Sequence, residues 1–187
     1  MRLDPAECSD GELVALALAG RQSAFAAIMQ RHKEPIYRLV LGYVANPDDA
    51  LDLVQESFVA AYRNLDSFDP ERPLRAWLAR IAINKCRDWA RRRAVRRFFT
   101  FAKPMEAAAA VADPAPSADR TAEDREALAT LWRAIAALPR SLKEPLILRT
   151  FEGLSQAEVA AMLGISEKAV ETRLYRARAR LSSLRPD

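Results

Sequence analysis

The apolar positions near the C-terminus predict two consecutive helices joined by a tight turn. Within the segment 154–184, Ser155 and Glu158 have the spacing of a capping box, which opens the first helix. Gly164 ends that helix, and Ser166 is placed to cap the next one. The second helix has apolar residues at intervals of three and four positions, namely Val170, Leu174, Ala177 and Leu181. A short helix, a turn with glycine and a longer helix together predict a helix-turn-helix.

Helical spacing of apolar residues also predicts four helices in the first half of the chain. They cover about residues 9–19, 23–45, 48–65 and 74–97. Pro35 lies inside the second helix and is expected to kink it rather than end it. Asn46 and Pro47 mark the turn before the third helix, and prolines at positions 70 and 73 predict a loop before the fourth.

The segment 98–121 interrupts this periodicity, because it is rich in alanine and contains three prolines. We interpret it as a flexible, partly extended linker. Beyond it, apolar spacing predicts a helix ending at Pro139, a second helix over 142–151 and then the helix-turn-helix. No run of alternating β-branched residues predicts a strand. The expected fold is therefore all-α, with two small helical domains at 9–97 and 122–184.

Charge is distributed unevenly along the 187 residues, whose net charge is +4. Between residues 42 and 71 there are seven acidic residues and one arginine, whereas 72–97 has ten basic residues and one aspartate. A third block, 166–185, has six basic residues and two acidic ones. The two basic blocks predict two contacts with a polyanion, and the acidic block predicts a contact with a different partner.

The sequence lacks the features of several other protein classes. Cys8 and Cys86 are far apart and have no metal-ligand spacing, so we expect free thiols in a reducing cytoplasm. His32 is the only histidine, and neither a phosphate-binding glycine loop nor a catalytic-triad pattern accompanies it, which argues against an enzyme. No cofactor or metal site is expected. No apolar stretch matches a signal peptide or a membrane-spanning helix, so we expect a cytoplasmic protein without membrane insertion.

The fourth predicted helix interleaves aromatic and basic residues. Trp77 and Trp89 alternate with arginines and a lysine, a composition suited to stacking on unpaired bases and contacting phosphates. In the alternative interpretation the tryptophans are core residues and the arginines are only solvated, and for Trp77 a core role is favoured. The five arginines within 91–97 favour a phosphate contact. The last helix is also basic on its outer face, which suits entry into a DNA major groove.

Three stretches resemble extracytoplasmic-function (ECF) sigma factors, which are small members of the bacterial sigma-70 family. They are DDALDLVQESFVAAYRNLDSF at 48–68, LRAWLARIAINKCRDWARRR at 74–93, and ALPRSLKEPLILRTFEGLSQAEVAAMLGISEKAVETRLYRARARL at 137–181. The resemblance implies that the first domain is sigma region 2 and the second is region 4. It further implies that the protein binds core RNA polymerase and directs transcription initiation by recognising −10 and −35 promoter elements. An anti-sigma factor is expected to hold such a protein inactive.

The resemblance implies three groups of functional residues. The surface for core polymerase, which meets the clamp of the largest subunit, comprises Asp52, Gln55 and Glu56. The surface that recognises and melts the −10 element comprises Phe68, Arg75, Trp77, Arg80, Asn84, Lys85, Arg87 and Arg91. The surface for the −35 element comprises Ser166, Lys168, Thr172, Arg173 and Arg176, and region 4 is also expected to meet the flap of the second-largest subunit. Promoter DNA and polymerase are thus the expected partners.

Three residues depart from the family pattern. Leu51 replaces a usual acidic residue, and Arg75 stands where an aromatic or polar residue is frequent. Glu171 occupies a position of the recognition helix that is often basic; its carboxylate repels phosphate but can accept a hydrogen bond from cytosine N4. An ordinary helix-turn-helix regulator of duplex DNA is the alternative function, but it leaves the acidic helix and the aromatic-basic helix without a role.

Overall fold

The computed structural model describes residues 7–99 and 122–183, and within these two ranges its regular structure is helical, without a strand. The α-helices in chain order are α1 (Asp10–Leu18), α2 (Gln22–Val44), α3 (Pro47–Arg63), α4 (Leu74–Phe99), α5 (Ala122–Ala137), α6 (Arg140–Phe151), α7 (Gln156–Leu163) and α8 (Glu167–Ser182). A short 3-10 turn, Leu65–Ser67, lies between α3 and α4. The all-α prediction is confirmed.

Side-chain caps set the starts of several helices, and the capping box predicted at Ser155 and Glu158 is confirmed. Ser9 with Glu12, and Ser155 with Glu158, form complete capping boxes at α1 and α7. At α3 the Asn46 side chain accepts a hydrogen bond of 2.9 Å from the backbone N–H of Asp49 in the first turn of the helix. These caps satisfy backbone donors that have no partner inside the helix, so each boundary is encoded locally.

Two helices are longer than predicted. α4 continues two residues past the expected end and includes Phe98 and Phe99, whose side chains are 74% and 81% exposed. α6 starts at Arg140, so Pro145 lies inside the helix instead of in its first turn, and one intrahelical hydrogen bond is lost there. The predicted flexible linker falls almost entirely on 100–121, which lies outside the described residues.

The centre of the molecule is the C-terminal half of α2. The consecutive residues 39–44 are all buried, and α2 contacts α1, α3 and α4 as well as α5 and α6. Gly42 is the point of closest approach: a Cβ atom here would lie 3.2 Å from each of the side chains of Trp132, Ile147 and Phe151. A glycine therefore lets the two groups of helices meet.

Two domains are present, and they share one continuous apolar cluster. The first domain, α1–α4, buries residues of α2 against α3 and α4. The second, α5–α8, has its own small core, in which Ile147, Leu148, Leu154, Val159 and Val170 are fully buried. The domains contact each other mainly through α2 against α5 and α6. We call this contact the interdomain seam.

Candidate nucleic-acid interface

An open groove lies between α3 and α4; we call it the acidic groove after the carboxylates on its α3 side, and Arg63 and Lys85 also line it. Asp52, Gln55 and Glu56, the residues predicted to bind polymerase, line its α3 side together. Lys85 lines the α4 side, and its Nζ is 3.4 Å from a carboxylate oxygen of Glu56. Val59, which is 49% exposed, adds apolar surface to the same groove. Carboxylates beside exposed apolar groups suit a protein partner with basic residues, whereas they repel DNA phosphates.

A second concave site lies between the turn after α3 and the first half of α4. Its floor is aromatic: Phe68 is buried, Trp77 is half-buried, and their rings pack edge to face with centroids 5.6 Å apart. The rim is polar and consists of Asn64, Ser67, Asp69, Arg72, Arg80 and Asn84. Aromatic surface beneath hydrogen-bonding groups and arginines is the composition that holds an unpaired base next to its phosphate.

The structure brings four of the eight residues predicted for the −10 surface to this aromatic pocket, namely Phe68, Trp77, Arg80 and Asn84. The remaining four have other partners or positions. Lys85 faces the acidic groove, and Arg91 pairs with Asp88 of its own helix. Arg87 pairs with Glu144 of the second domain. Arg75 is exposed at the start of α4, beside Gly153. The helical periodicity of the sequence did not distinguish the four residues at the aromatic pocket from the other four.

Glu144 is a buried carboxylate that the sequence analysis did not identify. It accepts hydrogen bonds from Arg87 Nε (2.9 Å), Arg87 Nη2 (2.7 Å) and Arg140 Nε (2.9 Å), and the Tyr43 hydroxyl lies 3.4 Å away. Its neighbour Lys143 is also buried and donates to the Tyr43 carbonyl at 3.1 Å. The sequence of α6 held one indication of this burial. Its own apolar residues are distributed around the whole helix, so Lys143 and Glu144 have no polar face to lie on.

Burial at the interdomain seam changes the acidity of several groups. It raises the pKa of Tyr43 to about 12, with a contribution from Glu144, and it lowers the pKa of Lys143. Burial also raises the pKa of the Cys86 thiol, so this free cysteine is held in its neutral form. Burial raises the pKa of Glu152 to about 7, although Arg75 opposes the rise. One oxygen of Glu152 has no hydrogen-bond partner.

The helix-turn-helix is formed by α7 and α8. Gly164 ends α7 with φ 66°, a left-handed conformation that glycine adopts without strain, and the Ser166 side chain caps α8. On the outer face of α8, Lys168 Nζ is 2.8 Å from Glu171 Oε2, and the Thr172 hydroxyl donates to the Lys168 carbonyl. The remaining residues predicted for the −35 surface lie on α8: Arg173 is half-buried and Arg176 is exposed.

The described residues contain no group of histidine, cysteine and carboxylate side chains arranged to hold a metal ion. Over the same part of the chain, no helix is both long and apolar enough to cross a membrane. His32, the only histidine, is buried with its Nε2 3.1 Å from Asp10.

Comparison with protein families decides between the two functional interpretations. Residues 28–96 match the family model for sigma-70 region 2, and residues 128–181 match that for sigma-70 region 4. The chain belongs to the sigma-70 family. Region 2 therefore includes the acidic groove and the aromatic pocket, and region 4 includes the helix-turn-helix. Since a duplex-binding regulator has no reason to contain region 2, that alternative is set aside.

Relatives of this sigma-70 chain include RNA polymerase sigma factor CnrH of Cupriavidus metallidurans, which is 41% identical over 181 residues that cover 95% of each chain. ECF RNA polymerase sigma factor SigM of Mycobacterium tuberculosis is 36% identical over 178 residues, which cover 95% of this chain and 85% of SigM. The sequence resemblance to ECF sigma factors is thereby confirmed.

Solved structures of sigma factors share the arrangement of helices. CnrH in complex with the cytosolic domain of CnrY superposes with a TM-score of 0.67 at 36% identity, covering 94% of this chain and 96% of that one. RpoE in complex with the anti-sigma factor NepR from Bartonella quintana has a TM-score of 0.70 at 26% identity, covering 86% of this chain and 95% of that one. Both similarities extend over region 2 and region 4.

Proposed function

We propose that this ECF sigma factor binds core RNA polymerase through residues 9–97 and starts transcription at promoters whose −10 and −35 elements are read by the two domains separately. The observation that carries the proposal is the presence of three chemically distinct surfaces on one chain. They are the acidic groove, the aromatic pocket and the basic outer face of α8. Residues 122–184 form the domain for the −35 element.

The acidic groove is the proposed surface for the polymerase clamp. Asp52 and Gln55 are exposed, so they are free to meet basic side chains without further rearrangement. Leu51 is 51% exposed on the same helix and offers an apolar contact where the family pattern has a charge. This combination of apolar and acidic surface favours a protein interface. Region 4 is expected to contact the flap of the second-largest subunit.

The aromatic pocket is the proposed site for an unpaired base of the −10 element. Removing a base from the DNA stack costs a few kcal/mol, and stacking on an aromatic ring recovers about 1–3 kcal/mol per base. Trp77 supplies such a surface, while Asn84 has both a donor and an acceptor to discriminate among bases. Arg80 is exposed at the rim, where it can contact the adjoining phosphate.

The outer face of α8 is the proposed −35 recognition surface. Arg176 and Lys168 are exposed and basic, whereas Glu171 introduces a carboxylate among them. The pairing of Glu171 with Lys168 neutralises part of its repulsion toward phosphate, and its second oxygen can still accept a hydrogen bond from a base edge. Weak contacts of each domain become selective when polymerase holds both domains, because the second contact is then intramolecular.

This function needs no cofactor and no catalytic group of the sigma factor itself, so we propose a non-enzymatic initiation factor. It acts with polymerase, which places it in the cytoplasm. Control by an anti-sigma factor is supported by the relatives that were solved as complexes with CnrY and NepR. The signal that releases the sigma factor depends on the identity of its anti-sigma factor.

Run-off transcription with purified core polymerase tests the proposal. Core polymerase alone is the negative control, and a library of randomised promoter fragments supplies the unknown elements. We expect transcripts from a subset of fragments that share a spaced pair of motifs. If the protein neither binds core polymerase nor yields transcripts from any fragment, the proposed function is wrong.

A further inference from the structure

A cavity of about 700 Å³ lies at the interdomain seam, beside the ion pair between Arg87 and Glu144. Region 2 lines it with Tyr43, near the end of α2, and with one side of α4, and region 4 contributes Arg140, the first residue of α6. Small-molecule sites commonly have volumes of roughly 300–1,000 Å³. The cavity is therefore large enough for a nucleotide-sized ligand, and residues of both domains form it. We call it the arginine cavity.

Three arginines line the arginine cavity, namely Arg87 and Arg91 of α4 and Arg140 of α6. Glu144 is only 4% exposed and accepts hydrogen bonds from two of them, from Arg87 at 2.7 and 2.9 Å and from Arg140 at 2.9 Å. One carboxylate neutralises only one of these two guanidiniums, so a positive charge remains in excess. Arg91 pairs with Asp88, but their side chains are 79% and 47% exposed, and a pair of this kind exchanges readily. The cavity therefore attracts anions.

Glu144 also holds these arginines in place before a ligand binds. It engages Nε of Arg140, whose side chain is 63% exposed, and leaves the Nη groups of that guanidinium for another acceptor. Arg87 is held from a further side by Asn84, whose Oδ1 accepts a hydrogen bond of 3.2 Å from Nη1. Side chains that are already ordered lose less conformational entropy on binding, so this arrangement favours affinity for a ligand.

The N-terminal end of α6 is a second source of positive charge at the arginine cavity. Its N-cap residue, Pro139, forms no side-chain cap, and no acidic residue lies in the first turn. The N-terminus of a helix carries a partial positive charge. Because arginine binds phosphate with a two-pronged geometry, phosphate oxygens are the ligand atoms that match this set of groups.

We propose that the arginine cavity binds a small anion with a diphosphate group, either inorganic pyrophosphate or the diphosphate of a nucleotide. A diphosphate is favoured over a single phosphate because the arginines come from two helices, α4 and α6, and offer more than one guanidinium. Ala90 and Ala94 form a small apolar wall, which leaves room for the rest of a nucleotide. DNA is less favoured, because α6 belongs to neither of the surfaces proposed for promoter DNA. The proposal is independent of the proposed function, since the free protein binds the anion without polymerase.

A ligand in the arginine cavity touches region 2 and region 4 at the same time. Binding to the folded protein alone stabilises it by an amount that grows with the logarithm of the ligand concentration. The contact between the two domains then depends on the cellular concentration of a phosphate compound.

Isothermal titration calorimetry of the full-length protein with sodium pyrophosphate tests the proposal, in a buffer free of phosphate and of divalent cations. We expect pyrophosphate to bind, orthophosphate to bind at least about tenfold more weakly, and adenosine to give no signal. ADP is titrated in parallel. Tighter binding of ADP than of pyrophosphate identifies a nucleotide as the ligand, and equal or weaker binding identifies the inorganic anion. If neither binds with a dissociation constant below about 1 mM, or if orthophosphate binds as tightly as pyrophosphate, the proposal is wrong.

Arg140→Ala is expected to weaken pyrophosphate binding at least about tenfold, because it removes the guanidinium that region 4 contributes to the cavity. Arg133→Ala removes the same charge from the exposed surface of α5 and is the matched control, with unchanged affinity. Equal losses in the two variants would show that only net charge matters, and they would overturn the proposal.

Ala94→Glu provides a second test, since Arg140→Ala also removes a hydrogen bond from buried Glu144. The added carboxylate lies at an exposed edge of the cavity and repels the anion, whereas Ala15→Glu makes the same change on the exposed surface of α1. We expect only Ala94→Glu to lose pyrophosphate binding, with equal helix content in both variants by circular dichroism. Retained binding in Ala94→Glu overturns the proposal. If a random single-stranded oligonucleotide binds through Arg140 and pyrophosphate does not bind, the cavity belongs to the path of DNA and the proposal is overturned as well.

Discussion

Lys85 Nζ lies 3.4 Å from a carboxylate oxygen of Glu56, so an ion pair spans the groove between α4 and α3. The pair connects a residue predicted to contact DNA with one predicted to contact polymerase. Both side chains are partly exposed, at 32% and 44%, and the pair is therefore weak and exchangeable. A basic residue of a partner can replace Lys85 at Glu56, which leaves Lys85 free to turn toward DNA.

Charge reversal in this groove is predicted to weaken binding to core polymerase. Asp52→Arg places a cation where the proposed partner is basic, and we expect at least a tenfold loss of affinity, equivalent to about 1.4 kcal/mol. Native gel shift with purified core polymerase measures it. Asp66→Arg on the exposed turn after α3 is the matched control. Equal losses in both variants would assign the effect to net charge and contradict the groove assignment.

Asn84→Ala is predicted to impair promoter opening without destabilising the fold. Asn84 is exposed at the rim of the aromatic pocket, so its removal leaves no cavity in the core. Loss of one base contact costs about 1–3 kcal/mol. Permanganate reactivity of unpaired thymines in the polymerase–promoter complex measures opening, and Gln30→Ala on the exposed face of α2 is the control. Unchanged reactivity would remove Asn84 from the −10 surface.

Glu171→Gln is predicted to change the −35 preference at one base pair from cytosine toward adenine. A carboxylate accepts from cytosine N4, whereas an amide forms two hydrogen bonds with adenine N6 and N7. Selection from randomised −35 elements, followed by run-off transcription, identifies the preference. Arg180→Ala, in the last turn of α8, should leave it unaltered. If Glu171→Gln selects the same sequences as the wild type, Glu171 does not contact a base.

Arg176→Ala is predicted to weaken binding to the −35 duplex. The side chain is exposed on the outer face of α8, and loss of a base contact costs about 1–3 kcal/mol. Competition between labelled and unlabelled duplex in the presence of polymerase measures the change. A loss that is uniform over all sequences, with a shallower salt dependence, would instead indicate a phosphate contact.

Glu152 is predicted to make stability depend on pH. Its pKa is about 7 in the folded protein, above the usual 4.5 of a glutamate, so between these pH values the folded state binds a proton that the unfolded state releases. Protonated Glu152 therefore favours the folded state. This contribution to the free energy of unfolding is fully present below pH 4.5 and is lost as the pH rises through 7. Glu152→Gln should therefore gain stability over the wild type as the pH increases, on the order of 1–3 kcal/mol by pH 8.

Urea denaturation of Glu152→Gln and wild type at several pH values measures this difference, with Glu126→Gln as the exposed control. The two curves should converge near pH 4.5. A difference that is constant with pH would show that burial does not raise the pKa of Glu152, and that the variant acts through packing alone.

Local patterns were sufficient to predict the helices. Capping residues such as Ser9 and Ser155 and the spacing of apolar residues act within one or two turns, so the sequence predicted the order of the helices and the turn at Gly164. The extension of α4 through Phe99 was missed because exposed phenylalanines after a basic run have no helical spacing of their own. The residues of the aromatic pocket were predicted from the resemblance to ECF sigma factors.

By itself, the sequence determined an all-α chain of two domains, with an acidic helix, an aromatic-basic helix and a basic helix-turn-helix in that order. Only the tertiary structure decided which charges meet. Arg87 and Glu144 are 57 residues apart and belong to different domains, and neither local spacing nor composition links them. Their pairing depends on the packing of α6 against Gly42, since a close approach of two helices brings distant side chains together.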